Sequence, residues 1–390
     1  MHLHRRAAGV LFVAVLMIAA AACGSSGSSS GSSGASSSSA SSSPYRLGFS
    51  LTLSGPESSY GFRAQEGATI AIDEINAAGG VNGHPLQAYY VDNQFPNTAV
   101  ALAGLQKLIS LDHVLSVTAS GSPLLLAYEP VTSRANVILL NYAATDPTIA
   151  NPTKMTYSVI ASEPEEATAL TQYLKAQGKI GSAALIVDNS DVGQASQSAF
   201  EAAWKAAGGT VTTVQTYDVN SLDLSGQVAK VAATHPSYVY FQISTPPEAA
   251  EILNAAKQLG FHPQWLSNTF FGATDSAPVA APEDNGLIYS YVAFQPSTNA
   301  LASAYASAFQ AKYHKAPDIY SATSYVGVEL MAAALKQVGP NPAKIASFLD
   351  NTSGFSSILG KLSFVNGQLD MPVNVEVVNN GQPQILSGGS

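Results

Sequence analysis

From Tyr45 onward, short runs rich in β-branched and aromatic residues alternate with longer stretches of helical period, an order that few architectures accommodate. Strands that alternate with helices pair in parallel through βαβ crossovers, so the expected class is α/β, with helices covering largely parallel sheets. Strands are predicted over 45–51, 86–91, 114–118, 137–140, 183–187, 211–217, 238–243 and 287–292. The first helix between them carries Ala64, Ala68, Ala71, Ile72 and Ile75 as one apolar stripe and stops at Gly79-Gly80. A second, over 98–111, stacks Val100, Leu105, Leu108 and Ile109.

The pattern starts afresh after residue 162, with a helix over 165–177 and a strand at 183–187. Two successive wraps imply two similar lobes, and about 345 residues exceed what one core comfortably serves. Beyond residue 292 the chain turns helix-rich, over 300–314, 321–338 and 342–351, before strands at 362–365 and 373–378. Helices that arrive so late must cover sheet faces built earlier. The expected N-terminal lobe is therefore 45–162 plus 293–368, and the C-terminal lobe 163–292 plus 369–390, interwoven through several crossings that make a hinge.

Ahead of the lobes lies a leader. Residues 2–6 are a basic head, 7–22 are apolar, and Ala20-Ala21-Ala22 precede Cys23, the only cysteine in 390 residues. This reads as an export signal over 1–22, cleaved before Cys23. A thiol at a new N-terminus suits thioether lipidation, and 23–44 then forms a Ser/Gly tether reaching on the order of 25 Å. The run is similar to a bacterial lipobox, with Ala20 where Leu is usual. A transmembrane anchor or plain secretion is the other reading, for which about sixteen apolar residues fall short of the roughly 20 that a span needs.

Losing Arg5 and Arg6 with the leader takes the formal net charge from −9 to −11, which argues against a nucleic-acid partner. With no thiol beyond Cys23, burial and not disulfides must hold the fold. His84, His113, His235, His262 and His314 have no helical-spacing partner, and neither a P-loop nor a G-x-G-x-x-G occurs, so no metal and no cofactor are expected. Gly27-Ser28-Ser29-Ser30-Gly31 spells a G-x-S-x-G nucleophile pattern, but in the tether it lacks the strand and helix that such an elbow requires. No enzyme activity is expected.

Tyr60-Gly61, Gln65 to Ala68 and Ala71-Ile72-Asp73-Glu74-Ile75-Asn76-Ala77-Ala78-Gly79-Gly80-Val81-Asn82-Gly83 open a series of motifs. The series continues through Val91-Asp92-Asn93, Ser120-Gly121-Ser122, Ala143-Ala144-Thr145-Asp146-Pro147, Asp223-Leu224-Ser225 and 317–325. In this order the chain resembles the branched-chain amino-acid-binding proteins, type 1 periplasmic solute-binding proteins of ABC importers. The resemblance implies two Rossmann-like lobes joined by three hinge crossovers, closing over a ligand. It also implies that Ser122 and Thr145, with the backbone of Ala143, hold a ligand carboxylate, and that Tyr60 and Tyr320 wall the pocket. Read from the residues alone, Ser122 before Pro123 can equally cap a helix, Thr145 can shape a turn, and the tyrosines can be core or rim.

The second lobe departs from that family. Asp191-Val192-Gly193 stands where Tyr-Gly is usual, Thr245 replaces another tyrosine, and Ser267-Asn268-Thr269-Phe270-Phe271 replaces the acid that clamps an α-ammonium. An unpaired buried ammonium costs several kcal/mol, so an amino acid needs another carboxylate. Glu163, Glu165 and Glu166 either supply it or serve as first-turn acids that favour their helix. Glu163, Thr245, Asn268 and Tyr320 are the expected selectivity residues. The family's first-lobe cysteines fall near Phe95 and Ala119, which implies a looser loop there. The implied function is an extracytoplasmic solute-binding component, monomeric, lipid-anchored to the cell membrane at Cys23, that passes a small carboxylate-bearing solute to an ABC permease and ATPase complex. A sensor lipoprotein signalling to a membrane receptor, or a binder of aromatic acids or amides, is the alternative.

Overall fold

The computed structural model describes residues 42–387 apart from Pro56, Asn220, Leu222, 274–281 and Ala293, so the leader and Cys23 lie outside the described residues. The described residues build two α/β lobes, each on a mixed sheet. In the first sheet β1 (Tyr45–Leu51), β2 (Leu86–Asp92), β3 (Ser116–Ala119), β4 (Ile138–Asn141) and β5 (Thr156–Ser158) are joined late in the chain by β11 (Phe355–Ser357), β12 (Gly360–Val365) and β13 (Gln368–Asp370). Their order is β11-β12-β13-β5-β4-β3-β1-β2. The second sheet holds β6 (Ser182–Asp188), β7 (Thr210–Tyr217), β8 (Tyr238–Phe241), β9 (Gln264–Ser267), β10 (Ile288–Tyr291), β14 (Asn374–Asn379) and β15 (Gln382–Ser387), in the order β15-β14-β10-β9-β8-β6-β7.

The two lobes repeat one winding. In each, the first strand sits between the second and the third, and a parallel run, β2 to β13 in the first sheet and β7 to β10 in the second, is followed by antiparallel additions at the far edge. Such an order reverses direction beside the first strand, and the crevice beyond the strand ends at that reversal is where open α/β sheets take ligands. Among the described residues the chain passes between the sheets three times, from β5 to β6, from β10 to β11 and from β13 to β14.

Strand alternation assigns side chains to the two faces of each sheet. Ile138 and Leu140 of β4 join one core, and Leu139 between them joins another. Ala184 and Ile186 of β6 likewise face one cluster, while Ala183, Leu185 and Val187 face Phe200 and Trp204 on the opposite side. Helices therefore cover both faces of both sheets. Helix Ser58–Ala77 crosses helix Ile319–Val338 so closely that a Cβ on Gly67 would fall on the Ser321 carbonyl. Among the described residues no helix is long and apolar enough to cross a membrane.

Candidate functional site

A cavity of about 440 Å³ opens where the strand ends of the two sheets face each other. Ligand pockets commonly span roughly 300–1,000 Å³, so a solute the size of an amino acid or aromatic acid fits. The lining follows the topology. Thr52, Glu57 and Tyr60 come from the segment after β1, Phe95 and Pro96 from that after β2, Ser120 to Pro123 from that after β3, and Tyr142 to Ala144 from that after β4. The second lobe answers with Asn189 to Val192 after β6, Val219 after β7, Ser244 and Thr245 after β8, and Phe270 after β9. The Tyr60 hydroxyl donates to the Ser244 carbonyl at 3.3 Å, a contact that ties the two walls together. Tyr60 also meets the ring of buried Tyr320 edge-on, with centroids 5.0 Å apart.

Ser122 begins the 14-residue helix Ser122–Ala135, with Pro123 in its first turn. Its Oγ is fully buried and has no hydrogen-bond partner. A buried hydroxyl without a partner costs about 1–3 kcal/mol, and this one lies at the positive end of a helix dipole, where carboxylates are favoured. Gly121 makes the entry possible, since its backbone stands at φ 90°, ψ 106°. A Cβ there would lie 2.9 Å from the Phe95 ring. Phe95 thus occupies the space above Gly121, and packs on the cluster that contains Leu124 and Tyr128.

The second-lobe wall is backed by buried acids. Asp188, at the end of β6, accepts from the Ser190 N–H at 2.9 Å, from the Ser190 hydroxyl, and from the Ser244 hydroxyl at 2.6 Å. Glu248 accepts from the N–H groups of Ser244 at 2.8 Å and Thr245 at 3.0 Å, and from the Tyr217 hydroxyl at 3.2 Å. Opposite them, in the first lobe, is Glu57. Burial, then the charges of Asp188 and Glu248, push its carboxyl up to about 7.

Not every expected site residue reaches the cavity. Tyr60, Ser122, Ala143, Thr245 and Tyr320 line it, whereas Thr145, Glu163 and Asn268 form a buried cluster outside the lining. The Thr145 hydroxyl donates to Glu163 Oε1 at 2.7 Å, the Ser196 hydroxyl donates to Oε2 at 2.7 Å, and Asn268 Nδ2 donates to Ser196 at 2.9 Å. Glu165 is engaged by the backbone and hydroxyl of Ser162. Glu166 accepts from Thr269 N–H at 2.9 Å and from the Ser290 hydroxyl at 3.2 Å. The glutamates at the lobe entry are thus tied down as helix-start and core groups, and none lines the cavity. The Ala143 N–H is also engaged, by Asn141 Oδ1 at 3.1 Å.

The two hydroxyls first grouped together should therefore separate on mutation. Thr145→Val is expected to lower the melting temperature, because it strands the buried Glu163 oxygen at a cost of about 1–3 kcal/mol. Ser122→Ala is expected to leave melting level or raise it, since it removes the unpartnered hydroxyl, and to weaken carboxylate ligands by about tenfold. Thermal melts and titration calorimetry on both variants decide this, and the reverse pattern would exchange their roles.

Sequence reasoning overlooked Glu57, Ser190 and Ser244. Glu57 carried a usable signal, since it is an isolated acid in the same strand-end segment as Tyr60. Among the described residues no group of three or more His, Cys, Asp or Glu side chains is placed to hold a metal ion.

Comparison with known proteins bears on this geometry. A family model for periplasmic binding proteins matches residues 44–383. A Leu/Ile/Val-binding protein homolog of Brucella suis is 24% identical over 321 residues, covering 82% of this chain and 85% of its own. The crystal structure of a leucine-binding protein from Thermotoga maritima superposes with a TM-score of 0.80 at 21% identity, covering 89% of this chain and 99% of its own. A solute-binding protein of an ABC transporter from R. palustris, solved with benzoate, gives 0.78 at 17% identity, with 89% and 96% covered.

Proposed function

Because the chain belongs to the type 1 periplasmic binding protein family, we propose that it is the extracytoplasmic solute-binding component of an ABC importer. It captures a small carboxylate-bearing solute, an amino acid or a related compound, between its lobes and presents the closed form to a permease and ATPase complex. It binds and releases its cargo without chemistry. Cys23, lipidated after cleavage of the leader, would hold it at the membrane as a monomer on its Ser/Gly tether.

The observation that carries this reading is the buried, unpartnered Ser122 Oγ at a helix N-terminus inside a cavity shared by both lobes. A carboxylate there gains a hydrogen bond and a favourable dipole, and its remainder meets the second lobe only when the lobes are shut. Ligand thus favours closure by its differential affinity for the closed state. The rings of Phe95, Tyr142, Phe270 and Tyr320 in the lining support an apolar or aromatic body for the solute, so aromatic acids are the second reading.

A thermal-shift panel of aliphatic and aromatic amino acids, benzoates and benzamides on the mature protein tests the ligand class. Small-angle scattering with and without the best binder tests the mechanism. A more compact particle on binding is expected; an unchanged outline with a tightly held solute would overturn closure.

A further inference from the structure

We propose that Glu57 is the specificity-determining residue of the cleft: from the first lobe it holds a cationic group of the solute, so that both charged ends of a zwitterion seat on one lobe. The inference rests on the solute-binding reading above and adds which lobe reads the positive charge. Glu57 lines the cavity, half-buried, and among the described residues neither a hydrogen bond nor an ion pair engages its carboxylate. The described lining includes a second acid, Asp191, but no Lys, Arg or His. Behind the opposite wall lie Asp188 and Glu248, both buried. Hydrogen bonds from Ser190, Ser244, Thr245 and Tyr217 already hold those two acids. A purely anionic solute answers the unpartnered hydroxyl at the N-terminus of helix Ser122–Ala135 but leaves the Glu57 carboxylate unengaged, whereas a zwitterion answers both. Glu163, Glu165 and Glu166, the other acids at the lobe entry, are engaged elsewhere.

The groups facing Glu57 fix a pH signature. From the second lobe these are Asp188 on β6 and Glu248 on helix Pro246–Gln258. From the first they are the hydroxyls of Tyr60 and Tyr142, and Asp318 nearby is paired with Arg63 at 3.4 Å. None of these supplies a compensating cation. In the solute-free protein burial and the charges of Asp188 and Glu248 already hold the Glu57 carboxyl at about 7, so an ammonium beside it requires a proton to leave below that pH. Affinity for an amine-bearing solute therefore rises as pH rises towards that window, by as much as about tenfold per unit. A solute without a cation leaves the proton in place, and its affinity stays level.

The experiment is calorimetric titration of the full mature chain, wild type and Glu57→Gln, with two isosteric pairs: leucine and 4-methylpentanoate, phenylalanine and 3-phenylpropanoate. In at least one pair the amine-bearing member is expected to bind wild type more tightly. It should lose about tenfold or more in Glu57→Gln, while its deaminated partner holds or gains. On wild type alone, between pH 5.5 and 7.5, the amino acid should tighten while the deaminated acid does not. An amine preference that survives Glu57→Gln, or a wild type that prefers the deaminated members at neutral pH, overturns the role of Glu57 and leaves the solute-binding reading standing. If no member of either pair binds wild type, both fall together.

Discussion

Gly121→Val is expected to lower the melting temperature by roughly 5–10 °C and to abolish measurable solute binding in the same step. Its backbone angles of φ 90°, ψ 106° lie outside the regions open to L side chains, and a non-glycine residue held there costs about 1–3 kcal/mol. The added Cβ meets two carbons of the Phe95 ring at 2.9 Å, which adds about 1–3 kcal/mol of overpacking. At about 2 °C per kcal/mol, the low end of the scale that suits a chain of this size, the sum of about 2–6 kcal/mol brackets the expected shift. Binding fails for a related reason, because the turn that relaxes to relieve the clash is the one that aims Ser122 into the cavity. Gly260→Val supplies the comparison, since Gly260 also has a positive φ, 63°, but nothing lies within reach of an added Cβ. Equal melting losses in the two variants would show that the packing of Phe95 on Gly121 contributes nothing.

The sequence made the first lobe more legible than the second, and the reason is periodicity. Strand 45–51 and the late helices carry dense apolar faces, and the structure places Tyr45–Leu51, Ala300–Tyr313 and Pro342–Asp350 within a residue or two of expectation. Helix Asp191–Ala207 escaped notice because its buried face is mostly small, with Gly193, Ser196 and Ala199 ahead of Phe200 and Trp204. Short strands such as Gln264–Ser267 and Gln368–Asp370 carry too few residues to display an alternation. The site divides in the same way. A residue directly after a strand end, as Ser122 or Tyr60, could be placed on the cavity by topology. Thr145 and Glu163 could not, because whether a polar side chain turns toward solvent or pairs with another across the crossover is decided by partners distant in the chain. Asn268, bonded to Ser196 seventy-two residues away, is the extreme case. Near Phe95, where the missing cysteine implied a looser loop, the contact could not be read either, since the ring packs on Gly121 and the Leu124 cluster.

Melting of the solute-free protein should be highest in mildly acidic buffer and fall by on the order of 5 °C or more between pH 5.5 and 8. Beside Glu57 and Glu329, whose carboxyls burial raises to about 7 and about 8, the source is the pair Glu163 and Glu166, one turn apart on helix Glu163–Ala176 and both fully buried. Burial raises both carboxyls, and the neighbouring Glu163 charge raises Glu166 further. Hydrogen bonds from Thr145, Ser196, Thr269 and Ser290 offset only part of this. In the unfolded chain both acids titrate near the ordinary 4.5, so above that pH the folded state holds more protons than the unfolded one. Stability from these groups is therefore complete below about 4.5 and is lost as pH rises through the elevated folded values. Asp92 acts with the opposite sign, since hydrogen bonds from Ser54, Leu53 and Gln94 outweigh its slight burial and lower its carboxyl, and its contribution disappears only in stronger acid. Glu166→Gln should flatten the slope, because the amide oxygen still accepts from Thr269 and Ser290 but no proton is exchanged. A wild-type melting curve that is level or rises from pH 5.5 to 8 would mean that these carboxylates are ionised in place. The Thr145–Glu163 contact would then be a charge-assisted bond across the first crossover, and Thr145→Val would cost correspondingly more than the neutral estimate.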